Sequence, residues 1–240
     1  KSFFFPPRNL RDELLDLDEA SYEEVQDSLQ DVATVNRYLS GYRVLLQYME
    51  PILRSHKANR PFRVMDAATG SADQPVELVK LARRIGVPIH ITAIDINAKM
   101  LKLAQKEVAC YPEIQLLQCD ILSLPFRENA FDLVINSLSL HHFSWDKAVT
   151  ILRTIYKAGR LGIVVNDLHR SRLAHVVIFI LTRIFTRNKL TRYDAPVSVM
   201  NAFTPKSFVS WLSRQKYILT KSTDTFLTVL LCWDVRHELL

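Results

Sequence analysis

The sequence predicts a doubly wound α/β protein, a mostly parallel sheet with helices on both faces. Three observations predict it. An apolar run at residues 62–65 stops at Asp66, turns through small residues and gives way to a helix-like pattern at 76–82. The unit then recurs: residues 90–95 and 114–120 are further apolar stretches ending in acids, Asp95 and Asp120, spaced by about one βα unit. Finally, 240 residues with 48% hydrophobic content can bury a sizeable core, most simply as one α/β domain with additions. Five glycines and no low-complexity tract argue against a disordered or fibrous chain.

Taken in order, residues 1–60 read as helical and partly amphipathic. Residues 10–17 form a short apolar-periodic piece. A helix follows from Ser21, an N-cap with Glu24 three residues on in the capping-box pattern, and continues to about Leu39. Residues 42–53 form another, interrupted at Pro51. After the strand at 62–65 and its helix comes the strand at 90–95, with Asn97 capping the next helix. The strand at 114–120 leads through a loop at 122–128 to a fourth at 131–137. A helix at 145–158 precedes the fifth strand at 160–167. Residues 172–185 form a helix apolar all round, too short to cross a bilayer, which takes about 20 residues. It is therefore expected to be deeply buried or to line a lipophilic pocket. Residues 186–201 break the pattern, Thr204 and Pro205 start another helix, and residues 217–223 and 226–235 read as a hairpin.

The strand ends carry the chemistry. In open α/β sheets ligands sit beyond the carboxyl ends of the strands. A pyrophosphate there needs backbone N–H groups and no nearby negative charge. Asp66 and Asp73 would repel it and welcome a cation or a donor-rich group. Asp95 can accept both hydroxyls of a ribose, a feature shared with NAD enzymes. S-adenosylmethionine, with its ammonium and sulfonium, fits this polarity, and NAD does not. Three successive strand-end acids are hard to explain as helix caps alone.

The stretch Asp66-x-x-Thr69-Gly70-Ser71 resembles the first motif of the class I S-adenosylmethionine-dependent methyltransferases, acid-x-Gly-x-Gly-x-Gly. Ala68 and Ala72 stand where the first and third glycines are expected, so a positive φ at either would be strained. Phe131-Asp-Leu-Val-Ile-Asn136-Ser137 is similar to the family's fourth strand. The resemblance covers residues 60–170 and is nearest to bacterial small-molecule methyltransferases, including those acting on phenolic or quinone-like polyketide products. It implies a Rossmann-like, seven-stranded sheet with an antiparallel edge hairpin at the carboxyl end. Residues 1–60 would form a helical lid, with Asn36, Arg37 and Tyr38 near the site, and residues 61–240 the methyltransferase domain. An insertion at about 171–203 would cover the acceptor. The implied cofactor contacts are Asp66, Ala68, Gly70, Asp95, Ile96, Asp120 (to the adenine amino group), Ile121, Asn136 and Ser137.

Beside the methyl donor, residues 138–143 lack the Pro-Pro-aromatic signature of enzymes that modify base amino groups, and no Pro-Cys pair suits cytosine C5. His141 and His142 are candidate general bases, since an imidazole titrates near pH 6.5; they also suit pocket shaping. Asp167 could orient a histidine, hold an acceptor hydroxyl or cap the following helix. His169, His175, Tyr193 and Asp194 are candidate acceptor contacts.

The net charge of +6 is uneven: residues 1–60 carry −2, 61–149 carry −1, and 150–240 carry +9. That basic third suits RNA, anionic lipid or an acidic substrate as well as plain solvation. Three cysteines, odd in number and without metal-type spacing, point to a reducing, cytoplasmic setting, and no metal ligand set or secretory signal is evident. The expected activity is O- or C-methylation of a small, aromatic or polyketide-like acceptor, with nucleic acid not favoured as partner and a homodimer left open. Two alternatives stay open: an RNA methyltransferase using the basic third, and a non-catalytic protein of methyltransferase fold.

Overall fold

The computed structural model describes residues 6–17, 19–38, 41–204, 219–224 and 228–233. Its strands are β1 (Phe62–Ala67), β2 (Ile89–Asp95), β3 (Ile114–Gln118), β4 (Leu133–Ser137), β5 (Ile163–Leu168), β6 (Leu219–Asp224) and β7 (Thr228–Trp233). The first five run parallel in the order β3-β2-β1-β4-β5, the α/β Rossmann-like core expected from the sequence. Beyond β5 lies β7, antiparallel to it, and then β6, antiparallel to β7.

Side-chain alternation along the strands decides the layering. Phe62 and Val64 of β1 face one layer with Ile91 of β2, Leu133 and Ile135 of β4 and Val164 of β5. Met65 and Ala67 face the other with Ile94, Val134, Ile163 and Val165. The first layer is closed by α2 (Gly41–Ser55) and α3 (Asp73–Ile85), through Leu45, Met49, Ile52, Leu78 and Leu81. The second is closed by α5 (Trp145–Ala158), through Ile151, Leu152 and Ile155. The remaining helices are α1 (Tyr22–Tyr38), α4 (Ala98–Glu107), α6 (Arg172–Phe185) and α7 (Lys189–Asn201). The capping box forms at α1: Glu24 N–H donates to the Ser21 hydroxyl and Ser21 N–H to the Glu24 carboxylate. Asn97 caps α4 through Lys99 and Met100 N–H.

Several expectations are corrected. Pro51 lies inside α2, which continues to Ser55 because the buried Leu45, Met49, Ile52 and Leu53 hold it on the sheet against the loss of one backbone bond. Residues 10–17 contain only a 3-10 turn, Leu14–Leu17. The third strand ends at Gln118, so Asp120 lies in the turn beyond it. Residues 186–201 mostly form α7, whose Asn188 cap accepts from Leu190 and Thr191 N–H. Helix α6 is not deeply buried: Ala174, Ile178 and Thr182 face α7, whereas Leu173, Val176, Phe179, Ile180, Ile184 and Phe185 are exposed. Residues 205–218, where a helix was expected from Thr204 and Pro205, lie outside the described residues. Among those described, no helix is long and apolar enough to cross a membrane.

One ion pair sits at the foot of the sheet. The buried Asp132 carboxylate accepts from both Arg60 Nη atoms (2.5 and 2.6 Å), from Arg63 N–H (2.9 Å) and from Arg160 (3.0 and 3.2 Å). Burial alone would raise its pKa, but these donors hold it well below the usual carboxylate range.

Candidate active site

The strand order reverses between β1 and β4, which puts the ligand crevice beyond the carboxyl ends of those two strands. Two clusters of side chains meet there.

The first surrounds the turn after β1. Thr69 N–H donates to Ile94 O (2.9 Å) and Gly70 N–H to Asp95 Oδ2 (2.8 Å), so the turn is tied to the end of β2. Asp95 Oδ1 accepts from Asn97 N–H at 2.9 Å. Ala68 and Ala72 both adopt φ of 60°, and Gly70 φ of 56°. The alanines thus take the left-handed conformation that the motif's glycines allow, with the strain anticipated from the sequence. A Cβ placed on Gly70 would meet no atom within 4 Å, so the turn opens onto free space. Asp66 is 2% exposed and accepts from the Thr69 hydroxyl (2.5 Å). Burial pushes its pKa up to about 7; the Thr69 bond pulls it back, and the Asp73 and Asp95 charges add to the rise. Asp73 is also raised, by burial first, against the Tyr42 hydroxyl that donates to it at 2.5 Å. Asp95 is raised by burial too, partly offset by the Asn97 and Gly70 N–H groups.

The remaining expected cofactor residues fall around this rim. Ile96 is exposed, Asp120 is exposed and accepts from Leu122 N–H (2.8 Å), and Ile121 is buried. Asn136 Nδ2 donates to Ala67 O and Ser139 Oγ, both at 2.7 Å. Its Oδ1, together with Ser137 Oγ and Gln74 Oε1, is buried without a hydrogen-bond partner among the described residues. Such atoms call for a ligand, and acids, orphaned acceptors and an open turn together suit a cationic nucleoside. Gln74, at the start of α3, was not anticipated, since a glutamine in a first helical turn carries no distinguishing signal.

The second cluster lies at the ends of β4 and β5. Leu138 turns the chain sharply at φ 50°, and His141 follows in a one-turn 3-10 helix. His141 Nδ1 lies 2.6 Å from Asp167 Oδ1, and its backbone N–H donates to Asp167 Oδ2 at 3.1 Å. Both residues are buried. The Asp167 carboxylate thus contacts both the ring and the backbone of His141. His142 Nδ1 instead meets Asp16 Oδ2 at 2.7 Å. Burial would lower the His142 pKa, but the Asp16 bond and the charges of Glu13, Asp16 and Asp167 push it up to about 9.

Glu13 and Asp16 reach the histidines from the amino-terminal segment, which is strapped over the site. Arg8 Nη2 donates to His141 O (3.0 Å) and Phe143 O (2.7 Å), and Ser198 Oγ to Glu13 (2.6 Å). Asp194 accepts from Leu14 and Leu15 N–H (2.7 and 3.1 Å), so it anchors this segment; burial pushes its pKa up to about 6. Tyr193 is exposed on α7. His169 and His175 are half-buried, after β5 and in the first turn of α6. Tyr38 ends α1, and its side chain lies outside the described part.

The strand order and the acids at the strand ends are those of an α/β Rossmann-like domain with its crevice beyond β1 and β4. Residues 64–162 match the family model described as a methyltransferase domain. A demethylmenaquinone methyltransferase of Lysinibacillus sphaericus is 31% identical over 118 residues, 49% of this chain and 48% of that protein. A ubiquinone/menaquinone biosynthesis C-methyltransferase of Blochmanniella floridana is 26% identical over 141 residues, 57% of this chain and 53% of that one. The chain thus spans about half the length of these curated relatives. Among solved structures, the C-methyltransferase domain of the citrinin polyketide synthase matches with a TM-score of 0.63 at 13% identity, over 81% of this chain and 52% of that one. An S-adenosylmethionine-dependent methyltransferase of Aquifex aeolicus matches with 0.60 at 12% identity, over 91% and 100%.

Proposed function

We propose that the chain transfers a methyl group from S-adenosylmethionine to a hydroxyl or acidic carbon of a small aromatic or polyketide-like molecule. The observation that carries this reading is the buried His141–Asp167 pair, set beside a rim of strand-end acids. The cofactor supplies an electrophilic methyl on a sulfonium. In this reading Asp66 and Asp73 face its ammonium, Asp95 its ribose hydroxyls, and Asp120 with Ile121 its adenine. Ala68 and Gly70 let its backbone-side edge approach, Ile96 covers the nucleoside, and Asn136 and Ser137 line the reacting end.

Asp167 fixes the His141 ring with Nδ1 donating, which leaves the Nε2 lone pair to accept the acceptor's proton. A phenol or enol needs only such a weak base, and alignment with exclusion of water supplies the rest. Residues 8–17 roof His141 and act as the lid, held by Asp194, Ser198 and Asn201. The acceptor enters when they lift, passing His169, His175 and Tyr193. The names of the relatives and neighbours, quinone and polyketide methyltransferases, support an acceptor of this class. The test is a panel of phenols, naphthoquinols and polyketide lactones incubated with S-adenosylmethionine, read as S-adenosylhomocysteine formed. Turnover with none of them, but with RNA, would favour the nucleic-acid alternative.

A further inference from the structure

We propose that Glu13, His141 and His142 form a binding site for one divalent transition-metal ion of the zinc kind, which blocks His141 when filled. One ligand atom from each residue lies within 4.8 Å of the others. His141 Nε2 is 3.7 Å from Glu13 Oε1, and His142 Nε2 is 3.9 Å from Glu13 Oε2. These gaps are too long for hydrogen bonds. Two zinc bonds of about 2.1 Å at tetrahedral to trigonal angles span roughly 3.4–3.6 Å, so closure from a spread of at most 4.8 Å, about an ångström on the widest edge, would seat the ion.

The surroundings prepare both imidazoles for this. Each Nδ1 is held by a carboxylate, His141 by Asp167 at 2.6 Å and His142 by Asp16 at 2.7 Å. A carboxylate on Nδ1 points Nε2 toward Glu13 and raises its basicity, the arrangement found behind histidines that bind metals, and the ion takes the place of any proton held on Nε2. Glu13 in turn is steadied by the Ser198 hydroxyl. Charge points the same way. Glu13, Asp16, Asp167 and Asp194 bring four carboxylates to this corner against the guanidiniums of Arg8 and Arg170 and the proton on His142, and a divalent cation that replaces that proton balances the remainder. Two imidazoles and a glutamate suit zinc or cobalt and leave a fourth position open. The sequence shows no metal-type spacing because Glu13 lies on the amino-terminal segment and the histidines beyond β4. An ion on His141 Nε2 occupies the lone pair that would take the acceptor's proton, so loading and proton acceptance exclude each other. Only this blocking step rests on the proposed function.

The test is calorimetric titration of zinc chloride into the full chain after chelator treatment, without cofactor or acceptor, and the visible spectrum of its cobalt complex. One equivalent should bind at about 10 μM or tighter. Glu13→Gln and His142→Ala should each weaken binding at least about thirtyfold, and Asp16→Asn about tenfold. Unchanged S-adenosylhomocysteine affinity shows that the variants fold. If they do not fold, X-ray absorption of the parent's cobalt complex decides: two imidazoles support the site, and oxygen ligands alone overturn it. Absence of saturable binding, or binding indifferent to Glu13→Gln and His142→Ala, also overturns it. Saturating zinc should suppress methyl transfer reversibly by chelator, and unchanged or raised turnover overturns the blocking role. A failed titration leaves methyl transfer by the metal-free chain untouched, and a chain that binds zinc but transfers no methyl leaves the site standing.

Discussion

Asp66 should trade stability for binding. Its carboxyl titrates near 3.8 when unfolded and at about 7 in the fold, chiefly because burial disfavours the charged form. The fold therefore gains from the neutral acid below about pH 4 and loses that gain as pH rises to 7. By pH 8 the loss approaches 4 kcal/mol, at about 1.4 kcal/mol per unit. Asp66→Asn is uncharged at every pH and keeps an oxygen for the Thr69 hydroxyl. At pH 8 the variant should melt above the parent, by up to about 8–16 °C for a chain of this size, and at pH 4.5 the gap should shrink to about 2–4 °C. The same substitution should weaken S-adenosylhomocysteine binding, because the ammonium loses one of its two carboxylates. In the parent, affinity should fall about tenfold per pH unit below 7, so about thirtyfold between pH 8 and 5.5, and the variant's profile should be shallower, left to Asp73 and Asp95. Scanning calorimetry and titration calorimetry read the two halves. Equal melting at pH 8, or equal affinity with and without the carboxylate, would refute the reasoning.

Ala68→Gly and Ala72→Gly should each stabilise by up to about 1 kcal/mol, because both residues sit at φ 60°; a urea midpoint that falls instead would deny the strain. His141→Ala and Asp167→Asn should lower turnover by about 10²–10⁴ with cofactor affinity unchanged, measured on any acceptor found by the panel. Asp132→Asn should cost about 3 kcal/mol, since it leaves Arg60 and Arg160 without their shared carboxylate, and guanidinium chloride unfolding measures it. Asp95→Asn should weaken cofactor binding about tenfold, read by titration with S-adenosylhomocysteine.

Where one local rule governs, the sequence was legible. The ends of α5 and α6, the Ser21–Glu24 box and the Asn97 cap follow from residues within a turn of each other. Pro51 misled because helix propensity is local, whereas α2 is held by the buried face it lays on the sheet. Helix α6 misled in the opposite sense, since composition gives no account of how narrow a stripe α7 covers. The strand-end acids and the histidines were visible as residue types in pattern. Glu13 and Asp16 were not, because an acid on a polar segment resembles ordinary surface until the chain brings it against a histidine more than a hundred residues away.

The roof over His141 has a consequence for synthesis. Arg8, Asp16 and Leu14 find their partners 126 to 193 residues downstream, whereas the shelf under the nucleoside closes with bonds spanning 3 and 25 residues. As the polypeptide emerges from the ribosome, the shelf has its strands once β4 is out, at Ser137. The roof must wait, solvated, for nearly everything else. A nascent chain stalled after β4 would then carry the nucleoside rim without the anchors of its roof.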